Sequence, residues 1–201
     1  MATTEELEER VTVFEDPINF SIKHPLNTQW TLWFDNPNKK PQSNHWEANL
    51  KSIINFDTVE DFWGVYNHAV PPSKLPLGSN YHLFRNGIKP AWEDPKNENG
   101  GKWTISILKP KKDELLDNAW MNTMMSCIGE FSEFSEEICG AVCAVRKAND
   151  RIHLWLSCND REKCETIGRH LKEAAGVSGE NIKYEPHPKD FKEKAKPIYE
   201  V

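Results

Sequence analysis

A chain of 201 residues with 31 acidic and 25 basic side chains carries a formal charge of −6, and 38% hydrophobic content suits one folded domain rather than a disordered chain. That charge excludes a protein that coats nucleic acid by neutralising many phosphates. The longest apolar run, Ile138 to Val145, is eight residues, far below the roughly 20 needed to cross a bilayer.

The N-terminal stretch is acidic where a secretory leader would be basic and then apolar, so the chain is expected to stay inside the cell. Residues 1–24 are Glu-rich with scattered apolar positions and read as a flexible arm, leaving 25–201 as a single domain. From Gln29, Trp30, Leu32 and Phe34 alternate with Thr31, Trp33 and Asp35, the period of a strand with large side chains on both faces. A Pro-containing loop over 36–44 leads to Trp46 and a further ordered segment over 50–56. Thr58, with Asp61 three residues on, predicts a capped helix to about His68.

Prolines at 71, 72 and 76 forbid regular structure before a strand near Tyr81 to Arg85. Trp92-Glu93-Asp94 lies in an irregular stretch, and Gly100-Gly101 turns the chain into a strand over 102–109. Leu115, Leu116, Ala119, Trp120, Thr123, Met124 and Ile128 recur at helical spacing behind Asp113. Ile138 to Arg146 and Arg151 to Ser157 read as a β-hairpin, and Asn159 as the cap of a third helix that stops at Gly176. A last strand, Ile182 to Tyr184, precedes a Lys-rich tail. Strand pairs on short turns, interrupted by three amphipathic helices, define an α+β fold. Its sheet is mostly antiparallel, with the helices on one face and the other left for a ligand.

Five cysteines (Cys127, Cys139, Cys143, Cys158, Cys164) cannot all pair and none sits in a zinc knuckle, so they read as reduced core thiols. Scattered histidines and the absence of a phosphate loop, a nucleophile elbow or a His-Glu-x-x-His pair argue against an enzyme. Glu93 and Asp94, as neighbours in an extended segment, point opposite ways and do not form an acid–base pair.

Eight tryptophans are the unusual feature, because an indole stacks well on a flat ligand. Trp92 adjoins Glu93, whose carboxylate could accept the paired N1 and N2 hydrogens of a guanine while the indole covers the base. Trp46 is the candidate for the opposite face, and two such rings would attract a cationic, N7-methylated base beyond ordinary stacking. The same two indoles could equally cover an edge of the core. Lys102, Arg146 and Arg151 could meet one phosphate chain if their strands adjoin.

Several stretches resemble the eukaryotic translation initiation factor 4E family, which binds the 7-methylguanosine cap of mRNA. They are His24-Pro25-Leu26 with Trp30 to Trp33; Trp46; Thr58 to Trp63; Trp92-Glu93-Asp94; Gly100 to Trp103; Ile128-Gly129-Glu130; Cys139 to Val142; and Arg151 to Trp155. The resemblance implies a curved sheet with three long helices on its convex face and the cap in the concave one. It implies that Trp46 and Trp92 sandwich the base, that Glu93 takes its N1 and N2 hydrogens, and that the main-chain N–H of Trp92 donates to O6. Trp155 would touch the N7 methyl, and Lys102, Arg146 and Arg151 would hold the phosphates. Trp30, Trp33, Trp103 and Trp120 are left as structural.

On the convex face, His24, Pro25, Val59, Trp63, Met121 and Met125 would receive a factor 4G-type scaffold, or repressors with a Tyr-x-x-x-x-Leu-hydrophobic motif. Val59 and Trp63, four apart, share a helix face. The implied protein recruits a scaffold to start translation, is monomeric when free, and needs no cofactor, metal or membrane. It is cytoplasmic, with a nuclear pool compatible. A cap-binding repressor paralogue and a nucleotide-processing enzyme are the alternatives. Departures from the family pattern are Met121 and Met125 for Leu, Asn122 for a Glu that often contacts the partner, and Lys102 for the Arg of animal members. The stretch from Asp190 to Val201 holds no Ser or Thr, so tail phosphorylation has no acceptor there.

Overall fold

A computed structural model describes residues 21–35, 49–108, 113–177, 179–188 and 195–201. Its strands are β1 (Pro25–Asp35), β2 (Lys51–Thr58), β3 (Asn80–Arg85), β4 (Gly101–Leu108), β5 (Ile138–Ala144), β6 (Asn149–Leu156), β7 (Lys183–Pro186) and β8 (Tyr199–Glu200). They join in one sheet of order β2-β1-β3-β5-β6-β4-β7-β8, with every neighbouring pair antiparallel. The sheet is curved and open, as expected, and α1 (Val59–His68), α2 (Asp113–Ile128) and α3 (Arg161–Ala174) complete the fold.

The two faces follow from the period of the strands. On β4, Trp103, Ile105 and Ile107 are buried, whereas Lys102, Thr104, Ser106 and Leu108 point the other way and are partly or fully exposed. Trp30 and Leu32 of β1, Leu83 of β3, Ala141 and Cys143 of β5, and Ile152, Leu154 and Leu156 of β6 meet Phe62 of α1, Trp120 and Met124 of α2, and Ile167 and Leu171 of α3 in one core. Each large apolar side chain buried this way contributes on the order of 1.5–3 kcal/mol. Trp30, Trp103 and Trp120 are therefore structural, as expected. Trp103 also donates from Nε1 to the Cys164 carbonyl at 2.9 Å. A side chain at Gly168 would put its Cβ 2.5 Å from the Trp103 ring, so glycine is what lets α3 lie on the sheet.

Local chemistry sets the helix ends. Thr58 caps α1, accepting from the Asp61 N–H at 3.2 Å and donating to the Asp61 carboxylate at 2.8 Å. The cap of α3 is Asp160, accepting from the Lys163 N–H at 3.1 Å, and not Asn159, which donates instead to the Asn99 carbonyl at 2.7 Å. Gly176 ends that helix at φ +71°, a conformation glycine adopts without strain. One guanidinium ties β3 to the end of α2 and the start of β5. Arg85 donates to the carbonyls of Ser135 and Ile138, to Thr28 and to Glu130, and lies 4.9 Å from the Trp30 ring centre.

Several boundaries differ from the sequence reading. β1 begins at Pro25 rather than near Gln29, with an irregularity between Pro25 and Trp30 that breaks the alternating pattern. β5 stops at Ala144, and Arg146 stands in the turn, where its N–H donates to Asp150 at 2.8 Å. The last residues are not all tail: Tyr199–Glu200 pair with β7 as an eighth strand. Residues 1–20 of the expected arm lie outside the described residues, while Lys23 and His24 are bonded to Asp61 and Glu60 of α1. Among the described residues, no helix is long and apolar enough to cross a membrane.

Candidate functional site

On the face away from the core, the registers place residues in three rows that cross the sheet. One runs Thr31, Phe84, Gly140, Trp155, Lys102, Glu185. The next runs Trp33, His82, Val142, His153, Thr104, and the third Asp35, Asn80, Ala144, Arg151, Ser106. Trp33, expected to be structural only, therefore belongs to this open face.

Lys102 and Arg151 lie four residues apart along the paired strands, a span of about 13 Å. His153 stands between them, hydrogen-bonded to Thr104 at 3.0 Å. Its imidazole is pushed down to about 3, first by burial and then by Lys102, Arg151, Arg146 and His82. One side chain thus feels all three cations, which the sequence reading left conditional on strand adjacency. Burial is also the main cause that lowers the Lys102 ammonium, Arg151 adding to it and Glu185 opposing. A partly buried cation stands to gain from an arriving anion.

Arg146 is held rather than loose. It donates from Nη1 to the Val145 carbonyl at 2.9 Å and from Nη2 to Asn80 Oδ1 at 2.8 Å. Asn80 in turn donates to Asp35 at 2.6 Å, and the second oxygen of Asp35 takes His82 Nε2 at 2.9 Å. Asn80 and Asp35 escaped the sequence reading, because residues 45 apart in the chain meet only through the β1–β3 register.

Trp92 and Glu93 sit at the tip of the segment between β3 and β4. Its frame is built by their neighbours. Asp94 accepts from the N–H groups of Lys89 and Lys96, both at 2.9 Å, and fully buried Asn97 donates to the carbonyls of Lys89 at 2.9 Å and Ala91 at 2.7 Å. With Asp94 engaged in the loop, Trp92 is left half-buried and Glu93 exposed. The loop re-enters the sheet at Gly100, where a Cβ would fall 1.8 Å from the Leu156 carbonyl oxygen. It thus meets the row that holds Lys102 and Trp155. Trp155 is half-buried, edge-on to Phe84 with ring centres 5.5 Å apart and tilted on His187 at 4.2 Å, and its Nε1 has no partner among the described residues. Trp46 lies outside the described residues.

On the other side, His24, Pro25, Val59 and Trp63 gather at the start of α1. His24 accepts from the Val59 N–H at 2.9 Å, Pro25 pairs with Thr58, and the His24 contacts hold Glu60 down at about 2. Val59 and Trp63 are 36% and 37% exposed, too much for the core positions their spacing alone would suggest. Met121 and Met125 are half-buried on α2, Met125 packed against the core. A pocket of about 290 Å³ separates the two helices, lined by Phe62, Val65 and Tyr66 of α1 and Trp120 and Met124 of α2.

The five cysteines are free thiols, four buried and Cys158 half-buried, and no group of residues suited to a metal occurs among those described.

A curved open sheet with helices on one side, and with the Trp155 indole and the Lys102 and Arg151 cations on the other, is suited to a flat ligand with an anionic tail. The family model for eukaryotic initiation factor 4E matches residues 25–200, and the chain belongs to that family. It is 46% identical to human eukaryotic translation initiation factor 4E over 158 residues, 78% of this chain and 71% of the human one. Over 174 residues it is 46% identical to the Aplysia californica factor 4E, 85% of this chain and 77% of that one. Among solved structures it resembles Ascaris suum eIF4E-3 in complex with the m7G cap, with a TM-score of 0.81, 40% identity, and coverage of 90% of this chain and 98% of that one. Caenorhabditis elegans eIF4E-3 in complex with the 4E-binding protein Mextli and a cap analogue gives a TM-score of 0.81 at 37% identity, covering 90% of this chain and all of the other.

Proposed function

We propose that this chain binds the 7-methylguanosine cap of mRNA on its concave face and recruits a scaffold protein on its convex face to start translation, without catalysing a reaction. The observation that carries the reading is the strand register that sets Lys102, Arg151 and Trp155 on one open face, with Lys102 directly across from Trp155. It supplies an anion site beside an aromatic one. Membership of the factor 4E family and the likeness to a cap-bound relative support the same ligand.

In this reading Trp92 and Trp46 stack on the two faces of the base, and its positive charge strengthens both contacts. Glu93 accepts the N1 and N2 hydrogens, the Trp92 N–H donates to O6, and Trp155 meets the N7 methyl. Lys102, Arg146 and Arg151 hold the phosphates. His24, Pro25, Val59, Trp63, Met121 and Met125 form the scaffold- and repressor-binding surface; a C. elegans relative in complex with the 4E-binding protein Mextli supports a partner of that kind. The half-buried methionines adapt to varied helical partners. The protein acts in the cytoplasm.

The test is retention on a 7-methyl-GTP resin, with tryptophan quenching as a second readout. Wild type is retained, and Trp92→Ala and Glu93→Ala flow through. Retention of both variants overturns the assignment, and cleavage of a cap dinucleotide by the wild type overturns the non-catalytic reading. Binding of a Tyr-x-x-x-x-Leu-hydrophobic scaffold peptide separates an initiator from a cap-binding repressor.

A further inference from the structure

Two thiols meet at the entrance to α3, away from both faces assigned above. Cys158 lies two residues before the Asp160 cap and is half-buried; Cys164, one turn into the helix, is wholly buried. The Cys164 sulfur is 3.6 Å from the Cys158 carbonyl oxygen, which also accepts from Tyr184 Oη at 2.5 Å, so the turn is pinned over the buried thiol.

The surroundings treat the two sulfurs oppositely. The neighbouring Cys164 thiol is the first cause that holds Cys158 below the ordinary thiol value; the Asp160 N–H and the Lys163 ammonium add to that, against burial and Glu137. Cys164 is pushed up by the same contact and by burial. Burial raises Cys127 and Cys139 to about 12 and raises Cys143 as well. Cys158 is thus the thiol among the five that is held below its ordinary pKa and is only half-buried, at the N-terminal end of a 14-residue helix.

We propose that Cys158 is an oxidation site and that Cys164 is its resolving thiol, the two joining in a disulfide across the first turn of α3. With hydrogen peroxide as oxidant, the Cys158 thiolate attacks one peroxide oxygen, the O–O bond breaks, and sulfur is oxidised to a sulfenic acid while hydroxide leaves. The Cys164 sulfur then attacks Cys158 Sγ; the S–O bond breaks, the expelled hydroxide takes the Cys164 proton, and water departs. Two thiols and one peroxide give one disulfide and two waters. Asn159, the next residue, donates to the Asn99 carbonyl at 2.7 Å, so the bond would form at the root of the loop that carries Trp92 and Glu93.

The full chain is labelled with N-ethylmaleimide before and after graded peroxide, and its peptides are mapped by mass. Cys158 is expected to label about tenfold faster than Cys127, Cys139 or Cys143. Peroxide should remove two thiols together and yield a linked Cys158–Cys164 peptide two hydrogens lighter than the reduced pair. Cys164→Ala should stop at a dimedone-reactive sulfenic acid on Cys158. Equal labelling of all five thiols, a link between another pair, or unchanged thiol loss in Cys158→Ser overturns the proposal. The wild-type peptide map decides the question even if Cys164→Ala folds poorly.

Discussion

Lys102 stands directly across the β4–β6 ladder from Trp155, so a cation and an indole share one row of the open face. Glu185 pairs with Lys102 on the other side and keeps the ammonium from facing the site uncompensated. Replacing Lys102 by Met keeps the stem and removes the charge. Affinity for 7-methyl-GTP should fall about tenfold, the loss of one charge-assisted contact. Affinity for the 7-methylguanosine nucleoside should hold. Quenching titrations at low and high salt check this, since the variant should also show the shallower salt dependence.

Asn80 should behave as a positioning residue for Arg146. Asn80→Ala removes the Oδ1 that accepts from Nη2 and leaves Asp35 without its 2.6 Å donor. The expected outcome is weaker binding of the triphosphate with nucleoside binding unchanged. In a double-mutant cycle with Arg146→Ala, the two losses should overlap by about 1 kcal/mol. Additive losses would separate Asn80 from Arg146.

Acid should destabilise this fold from an unusually high pH. His153 and His187 are held down to about 3, chiefly by burial, while an unfolded histidine takes its proton near 6.5. Across that window the unfolded chain binds protons that the native protein does not, so unfolding free energy falls as pH falls. Glu60, held near 2 by His24, adds the same sign below about pH 4.5. Urea unfolding at pH 7, 6 and 5 should show the decline, and His153→Gln should flatten it.

Asn97 is the strut of the Trp92 loop. Asn97→Ala loses two hydrogen bonds to main-chain carbonyls and leaves them unsatisfied, at a cost of about 2–3 kcal/mol. Thermal unfolding should show the loss, and resin retention should weaken although no ligand-facing side chain has changed.

Trp63→Ala should abolish binding of a scaffold peptide and leave retention on 7-methyl-GTP resin intact, because Trp63 belongs to α1, on the helix-bearing side of the sheet. Calorimetry with the peptide and the resin assay report the two faces separately. Loss of both would mean that the substitution disturbs the packing of Trp63 on Phe62 and Tyr66.

Features encoded within a few residues were legible in the sequence. Thr58 and Asp61 announce a helix start because cap and partner are one turn apart, and the alternation in β4 separates Trp103 from Lys102 without knowledge of its neighbours. Asn159 and Asp160 are both good caps, and only the folded turn decides between them, sending one side chain to Lys163 and the other to Asn99. Tyr199–Glu200 is too short to carry a period, so its pairing with β7 is visible only in three dimensions. The relay from Asp35 through Asn80 to Arg146 joins three distant segments, and composition holds no trace of it.

The three rows of the open face have a consequence for how such a chain can change. His82 of β3 points to the same side as Lys102 and Trp155, while Tyr81 and Leu83, one residue away on either side, line the pocket beneath α1. The two surfaces are therefore separated by the thickness of one peptide layer, and the assignment of each residue depends on whether its position is odd or even. One inserted residue in β3 would exchange the two sets. Apart from irregularities such as the one in β1, an inserted residue is best accommodated in the turns, and each surface of a strand is changed by substitution at every second position.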